Sequence, residues 1–192
     1  MLYTIAQMIL RVFFGIIYRF QPIGVDRLPA EGPVIVCCNH QNNLDPPIVG
    51  CPLPRMMHFM AKAELFRVPV LSSIIRQVGA FPVNRGGMSK ESIRTALQLL
   101  KEGRVICIFP EGTRQTALGA GKKGAASLAV RSGAWVVPAA IIGSYRLFQP
   151  LKVVYGEPYK IATAEDLPAS AQLEVATERI MASIRELIER HS

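Results

Sequence analysis

The sequence has few cysteines, and none is placed for a disulfide framework or a zinc site. It contains no Cys-x-x-Cys pair and no histidine at zinc-finger spacing. The cysteines are Cys37, Cys38, Cys51 and Cys107. Charged residues are also scarce, at 19%, whereas half of the 192 residues are apolar. This composition excludes an intrinsically disordered chain and favours one folded domain in a reducing compartment.

Long hydrophobic runs are missing as well. In the apolar segment of residues 1–22, Arg11 interrupts the pattern, and the longest run of six residues is too short to span a bilayer. With no basic stretch before it, we expect no secretory signal. Tyr3, Gln7 and Arg11 recur every four residues and share one helical face. We expect an amphipathic helix in the membrane interface, with Arg11 and Arg19 reaching lipid headgroups; packing on the core is the alternative.

Acidic residues are absent from a long central stretch. Between Glu111 and Glu157 the chain has six Lys and Arg but no Asp or Glu. Residues 1–156 carry 18 basic and 7 acidic side chains, whereas residues 157–192 carry 4 and 7. This asymmetry indicates an anionic partner such as phosphate, a nucleotide tail or anionic lipid. We expect no nucleic acid, because the basic residues are not interleaved with aromatic ones.

Apolar runs of strand length alternate with segments of helical periodicity. Strands are expected at residues 34–38, 56–60, 80–83, 104–109, 134–142 and 151–155. Helices are expected at residues 64–78, 89–100, 123–131 and 170–189. This alternation predicts an α/β fold with a mostly parallel central sheet flanked by helices. We expect residues 23–192 to form this single domain, preceded by the N-terminal helix of residues 1–22.

A histidine and an aspartate follow the first of the long predicted strands. His40 lies just beyond residues 34–38, at the carboxyl end of the strand, where α/β sheets bind ligands. A neutral imidazole can take a proton from a hydroxyl, and a carboxylate that accepts its other N–H fixes the tautomer. This pattern predicts His40 as a general base and Asp45 as its orienting partner. Alternatively, Asp45 and Pro46 only begin a helix.

Two further polar segments follow later strands, at the same edge of the sheet. Residues 109–114 read Phe-Pro-Glu-Gly-Thr-Arg. Glu111 can accept hydrogen bonds from a polyol, Gly112 permits close backbone approach, and Arg114 offers a two-pronged phosphate contact. Arg85, followed by two glycines, is a second candidate phosphate ligand. The segment of residues 109–114, taken alone, is also compatible with an ordinary polar turn.

Residues 119–124 satisfy the Gly-x-Gly-x-x-Gly pattern but are not expected to bind a dinucleotide. They begin well after the preceding strand, and no acidic residue follows about 20 positions later to bind a ribose. We interpret them as a basic loop that contacts a phosphate group or the membrane, or that serves only as a linker.

Together, these segments resemble the glycerolipid acyltransferases of the lysophosphatidate acyltransferase (PlsC) type. The family's four sequence blocks occur in order at residues 39–45, 79–85, 109–114 and 136–141. The third block, Phe-Pro-Glu-Gly-Thr-Arg, matches in full, whereas the second has Pro82 where an apolar strand residue is usual. The resemblance implies transfer of a fatty acyl group from acyl-CoA or acyl carrier protein to the free hydroxyl of a lysophospholipid.

The resemblance also implies roles for individual residues. His40 and Asp45 are implied to be catalytic. Binding of the acceptor's glycerol phosphate is implied for Arg85, Glu111, Gly112, Thr113 and Arg114. No metal is implied, and no cofactor beyond the thioester donor. The implied enzyme is a 1-acyl-sn-glycerol-3-phosphate acyltransferase, peripheral or monotopic, on the cytoplasmic face of the cell (inner) membrane.

Two other functions remain open on the sequence. The first is an acyltransferase of the same fold that uses glycerol 3-phosphate, another lysolipid or a lyso-ornithine lipid as its acceptor. The second is a non-enzymatic module that binds anionic lipid or nucleic acid, which the formal net charge of +8 favours. Binding alone does not require a histidine, an aspartate and a Glu-Gly-Thr-Arg segment directly after strands, so this pattern disfavours the module.

Overall fold

A computed structural model of the chain describes residues 2–83, 89–115, 117–162 and 168–192. The helices are α1 (Leu2–Tyr18), α2 (Asp45–Gly50), α3 (Pro69–Gln77), α4 (Lys90–Lys101), α5 (Gly124–Ser132) and α6 (Ala169–His191). The strands are β1 (Gln21–Ile23), β2 (Val34–Cys38), β3 (Met57–Lys62), β4 (Ala80–Val83), β5 (Val105–Ile108), β6 (Trp135–Gly143) and β7 (Leu151–Tyr155). None of the helices in these ranges has the length and apolarity needed to cross a membrane.

The strands form one sheet in the order β1-β7-β6-β2-β5-β3-β4. Every neighbouring pair is parallel except β6 and β7, which are antiparallel. Strand β2 lies in the middle, and all five of its residues are buried. The predicted α/β fold with a mostly parallel sheet is therefore confirmed. Because β2 and β5 are adjacent and parallel, the loops that follow them emerge side by side at one edge.

The residues of β2 alternate between two apolar cores on opposite faces of the sheet. Val34 and every second residue after it pack in one core with Phe14 of α1 and Ile48 of α2. Ile35 and Cys37 pack in the other core with buried residues of α4, α5 and α6. Helices on both faces explain why this strand is apolar throughout rather than alternating with polar residues.

Helix α1 turns its polar stripe toward the protein. The hydroxyl of Tyr3 accepts the N–H of Met57 at 3.1 Å, and the amide of Gln7 donates to the carbonyl of Leu53 at 2.9 Å. The guanidinium of Arg11 donates to the carbonyls of residues 51 and 52, each at 2.6 Å. The expectation that Arg11 reaches lipid headgroups is therefore wrong, because its donors satisfy backbone carbonyls at the end of α2 and beyond.

The opposite side of α1 is apolar and exposed. Its exposed large side chains are Ile5, Met8, Ile9, Val12, Phe13 and Ile16. Leu147 and Phe148 are also exposed, and the N–H of Phe148 donates to the carbonyl of Ile17 at 2.7 Å. The eight side chains lie in two segments that meet at the end of α1. Six large apolar side chains grouped on one side of a helix differ from the single exposed apolar residues that are usual on a protein surface.

Pro69 divides the helix that was predicted over residues 64–78. A short 3₁₀ helix occupies Ala63–Arg67, Val68 is extended, and α3 then begins at Pro69. Proline has no N–H to donate and disfavours a helical conformation in the residue before it. The break therefore follows from local chemistry that the apolar periodicity does not register.

Other elements match their local sequence signals closely. The predicted N-cap of α4 is confirmed, because the hydroxyl of Ser89 accepts the N–H of Ser92 at 3.2 Å. Gly133, with φ of 61°, ends α5 in the left-handed conformation. Strand β1 was not predicted, since three residues are too few to establish a period, and α2 begins where the alternative interpretation of Asp45 and Pro46 places a helix.

Candidate active site

His40 and Asp45 are in direct contact at the carboxyl edge of the sheet. The His40 Nδ1 and Asp45 Oδ2 atoms lie 2.6 Å apart. Asp45 is completely buried, whereas 17% of the His40 side chain is exposed. With Nδ1 engaged by the carboxylate, Nε2 is the ring nitrogen left to accept a proton. Asp45 is also the first residue of α2, so a helix does begin here, with Leu44 rather than Asp45 at its N-cap. The catalytic role of Asp45 stays a prediction.

The loop between the two residues folds back because its backbone binds the same carboxylate. Asp45 Oδ2 accepts the N–H of Gln41 at 2.6 Å and that of Asn42 at 2.8 Å. A buried carboxylate needs such donors to offset its desolvation. Asp45 therefore shapes the loop and orients the imidazole with one oxygen atom.

Asn39 fixes the start of this loop to the neighbouring strand. Its buried amide accepts the N–H of Ile141 at 2.7 Å and donates to the carbonyl of the same residue at 3.0 Å. Gln41 donates to that carbonyl as well, at 3.0 Å. These contacts join β6 to the segment that carries His40 and so restrict its position.

The His40 ring also stacks on Phe109. Their centroids are 4.0 Å apart and their planes differ by 17°. Phe109 directly follows β5 and is the first residue of the Phe-Pro-Glu-Gly-Thr-Arg segment. The stacked ring restricts rotation of the imidazole, in addition to the restriction from Asp45.

The second carboxylate oxygen of Asp45 binds a tyrosine that lies 100 residues later in the sequence. The hydroxyl of Tyr145 donates to Asp45 Oδ1 at 2.5 Å. Burial, together with the charge of Asp45, raises the pKa of Tyr145 well above its ordinary value. The phenol therefore keeps its proton and acts as the donor in this contact.

Glu111 connects the loop after β5 to its surroundings. One carboxylate oxygen accepts the N–H of His40 and the other accepts the N–H of Gly119, both at 3.2 Å. Only 3% of Glu111 is exposed. Acceptor binding by Glu111 stays a prediction, whereas the contacts observed join three loop segments around His40.

The glycine-rich basic loop folds over this segment. The N–H of Lys122 donates to the carbonyl of Pro110 at 2.8 Å. Gly112 has φ of 71°, and a Cβ there would lie 2.9 Å from the Lys122 amine. The structure thus places a cation beside the Glu-Gly-Thr-Arg segment, which the sequence did not assign to the site.

Thr113 and Arg114 are exposed in this same loop. The next residue, Gln115, donates its N–H to the carbonyl of His40 at 2.8 Å, so the backbone that carries Arg114 runs beside the histidine. Phosphate binding by Arg114 stays a prediction. The prediction for Arg85 falls at a position outside the described residues.

The neighbouring thiols are buried and inert. Burial raises the pKa values of Cys38 and Cys107 well above their ordinary range. A thiol needs a lowered pKa and some exposure to act as a nucleophile at neutral pH. These cysteines serve as small apolar side chains of the core.

Sequence reasoning missed Asn39, Phe109 and Tyr145. A polar residue directly after a wholly buried strand is a signal for Asn39, since it predicts a satisfied amide. The Phe-Pro-Glu-Gly-Thr-Arg pattern includes Phe109 but does not indicate that its ring stacks on His40. Nothing near Tyr145 in the sequence connects it with an aspartate 100 residues earlier.

Comparison with known proteins matches the resemblance. A family model described as Acyltransferase matches residues 19–142. The 1-acyl-sn-glycerol-3-phosphate acyltransferase of Bacillus subtilis (strain 168) is 33% identical over 192 residues, covering 97% of this chain and 96% of the relative. The chloroplastic 1-acyl-sn-glycerol-3-phosphate acyltransferase LPAT1 of Arabidopsis thaliana is 30% identical over 135 residues, covering 68% of this chain and 38% of the relative.

A solved structure shares the fold. The crystal structure of the 1-acyl-sn-glycerophosphate acyltransferase PlsC from Thermotoga maritima matches with a TM-score of 0.75 and 24% identity, covering 96% of this chain and 79% of that one. The family match spans the sheet edge that holds His40, Asp45 and Glu111, and similarity to the Bacillus relative extends over nearly the whole chain. The chain therefore belongs to the acyltransferase family.

Proposed function

We propose that this acyltransferase converts 1-acyl-sn-glycerol 3-phosphate to phosphatidate. The donor is the thioester of acyl-CoA or acyl carrier protein, and the acceptor is the free hydroxyl of the lysophosphatidate. The names of the two similar acyltransferases support this acceptor. The observation that carries the proposal is the 2.6 Å contact between His40 and the buried Asp45 at the edge of the sheet.

The dyad supplies general base catalysis. His40 Nε2 takes the proton of the acceptor hydroxyl while the hydroxyl oxygen attacks the carbonyl carbon of the thioester. The C–S bond then breaks, and the departing sulfur takes the proton from the imidazolium. Asp45 stabilises the imidazolium between these two proton transfers. A positioned general base contributes about 10²- to 10⁴-fold to the rate. The reaction as proposed uses the two substrates alone.

The cationic side chains near the dyad bind the acceptor phosphate in this proposal. Arg114 is exposed beside the His40 backbone, and the Lys122 amine lies over Gly112. Arg85 is proposed as a third ligand on the basis of its sequence block. A lysophosphatidate whose phosphate is bound by these groups would have its free glycerol hydroxyl directed toward His40. This pairing of phosphate and hydroxyl favours lysophosphatidate over lysolipids with larger headgroups.

The exposed side of α1 brings the enzyme to its lipid substrate. Since its polar stripe binds the protein and its apolar side is exposed, α1 has the reverse of the orientation expected for a helix that faces water. We therefore place this side, together with Leu147 and Phe148, in the membrane interface. The proposed location is peripheral or monotopic, on the cytoplasmic face of the cell membrane.

An acceptor panel tests the proposed substrate. Purified protein on anionic vesicles is given lysophosphatidate, glycerol 3-phosphate, lysophosphatidylcholine or a lyso-ornithine lipid, with acyl-CoA or acyl carrier protein as donor. Released thiol is measured, and products are identified by mass spectrometry. We expect lysophosphatidate to have the highest kcat/KM. Faster turnover of another acceptor would contradict the proposed acceptor while retaining the acyltransferase activity.

A further inference from the structure

The buried carboxylate of Asp45 is held by different groups at its two oxygens. Oδ2 binds the His40 ring and the backbone N–H groups of Gln41 and Asn42. Within the described ranges, the hydroxyl of Tyr145 is the one donor to Oδ1. A carboxylate that is fixed at both oxygens cannot rotate about its terminal bond. The hydrogen bond from the Tyr145 hydroxyl therefore restricts rotation of the carboxylate and keeps Oδ2 directed toward the imidazole.

Tyr145 is itself fixed by helix α1. Its ring packs edge-to-face on Tyr18 with centroids 5.5 Å apart and planes at 82°. The N–H of Phe148, three residues later, donates to the carbonyl of Ile17 at 2.7 Å. The segment after β6 is therefore bound to the last turn of α1 through both a side chain and the backbone. A continuous set of contacts runs from α1 through Tyr145 to Asp45.

We propose that Tyr145 is a positioning residue for acyl transfer, which orients Asp45 toward His40 and is held in place by α1. This inference rests on the proposed function, in which the imidazole acts as the base. Tyr145 acts through Asp45, since its hydroxyl is bound to the carboxylate. Both partners of Tyr145 lie far from it in the sequence, but in the structure its hydroxyl contacts Asp45 of α2 and its ring contacts Tyr18 of α1.

The N-terminal helix then has a second role besides contact with lipid. The α1 residues that face outward form the apolar surface, whereas Tyr18 at its end faces inward and packs on Tyr145. Displacement of α1 from the domain would release the segment of residues 144–148 and, with it, one of the two restraints on the carboxylate. The geometry thus joins the membrane-facing helix to the catalytic base.

The first test compares two tyrosine variants. Tyr145→Phe removes only the hydroxyl. Tyr159→Phe is the matched control, because Tyr159 packs against the other core and its hydroxyl contacts Ser183 rather than Asp45. We expect Tyr145→Phe to lower kcat about tenfold with KM changed less than twofold, since a hydrogen bond to a charged group is lost. Tyr159→Phe should retain wild-type kcat. A Tyr145→Phe enzyme with kcat within twofold of wild type overturns the proposal.

A double-mutant cycle separates positioning from a general effect on the fold. In an Asp45→Ala background the phenol has no carboxylate to orient, so adding Tyr145→Phe should change kcat less than twofold. The same tenfold decrease in both backgrounds would contradict action through Asp45. The cycle is run with whichever acceptor the wild type turns over fastest. An incorrect proposed acceptor therefore appears in the wild type, separately from the effect of Tyr145.

A spectroscopic measurement tests the same inference without substrate. In protein labelled with ¹⁵N-histidine, the Nδ1 proton shared with Asp45 gives a low-field resonance that is assigned by its loss in His40→Ala. We expect Tyr145→Phe to weaken or shift this resonance, because the carboxylate is no longer fixed at Oδ1. An unchanged resonance in Tyr145→Phe would overturn the proposed positioning role.

Discussion

The carboxylate of Glu111 accepts the backbone N–H of His40 at 3.2 Å, so the third sequence block holds the loop after β2 through its backbone. The other oxygen of the carboxylate holds Gly119 at the same distance. The buried carboxylate therefore joins the loop after β2 to the loop after β5, and it also binds a later residue of its own loop, Gly119. This arrangement gives Glu111 a measurable contribution to stability, in addition to any role in binding.

Glu111→Gln should destabilise the protein. An amide nitrogen would replace one acceptor and face an N–H donor, which costs about 1–3 kcal/mol in the free energy of unfolding. Urea denaturation measures this difference, with Glu189→Gln as the control, because Glu189 is exposed on α6. An unchanged unfolding midpoint with a raised KM for lysophosphatidate would instead assign Glu111 to acceptor binding alone.

Arg114→Gln should weaken acceptor binding. The side chain is exposed beside the His40 backbone, and we expect its loss to raise KM for lysophosphatidate about tenfold, because a charge-assisted contact with the phosphate is removed. Steady-state kinetics at saturating donor provide the measurement. Arg190→Gln on α6 is the control and should behave as wild type. Equal KM values for Arg114→Gln and wild type would remove Arg114 from the phosphate site.

Acidic substitutions on the apolar side of α1 should release the enzyme from lipid. Ile9 and Ile16 are 60% and 64% exposed, so Ile9→Glu with Ile16→Glu should leave the melting temperature unchanged. Each apolar side chain transferred from water contributes about 1.5–3 kcal/mol, so the bound fraction on phosphatidylglycerol vesicles should fall more than tenfold. Vesicle sedimentation measures it.

Val175→Glu is the matched control for this experiment. Val175 is 61% exposed on α6, which packs on the opposite face of the sheet from α1. This variant should sediment with vesicles as the wild type does. If both proteins lose vesicle binding equally, the apolar side of α1 is not the specific lipid contact.

The buried thiols should make the free energy of unfolding depend on pH between the ordinary thiol pKa of 9.0 and the raised value of about 12. Burial raises the pKa values of Cys37 and Cys51 from 9.0 to about 12. Because the unfolded chain releases these protons first, the free energy of unfolding should be constant below pH 9 on this account and fall as the pH rises toward 12. Urea denaturation at pH 8 and pH 10 compares the two regimes. Equal or greater stability at pH 10 would contradict the burial of these thiols.

The sequence determines much of the sheet and the contents of its edge. The uninterrupted apolarity of residues 34–38 predicts a strand covered on both faces, and this is the position that β2 occupies. The sequence alone therefore predicts that His40 lies at the carboxyl end of this strand. Parallel pairing of β2 with β5 brings Phe109 and Glu111 beside it. The local sequence pattern and the geometry of a parallel sheet together account for the positions of β2 and of these three residues.

The remaining features depend on contacts between distant parts of the chain. The loop around His40 is fixed by Asn39 through Ile141, 102 residues later, and the phenol of Tyr145 reaches Asp45 across 100 residues. Periodicity groups Tyr3 with Arg11 but does not say which side of α1 faces inward. The polar side faces inward, because the backbone carbonyls that follow α2 need donors, which Gln7 and Arg11 supply.

The most direct test of the central claim is acyl transfer by His40→Ala on lysophosphatidate and a thioester donor. We predict that kcat falls about 10²- to 10⁴-fold, because the base that deprotonates the hydroxyl is removed. The control is His191→Ala at the end of α6, which should retain wild-type kcat, and circular dichroism verifies that both variants are folded. Wild-type turnover by a folded His40→Ala protein would contradict the account.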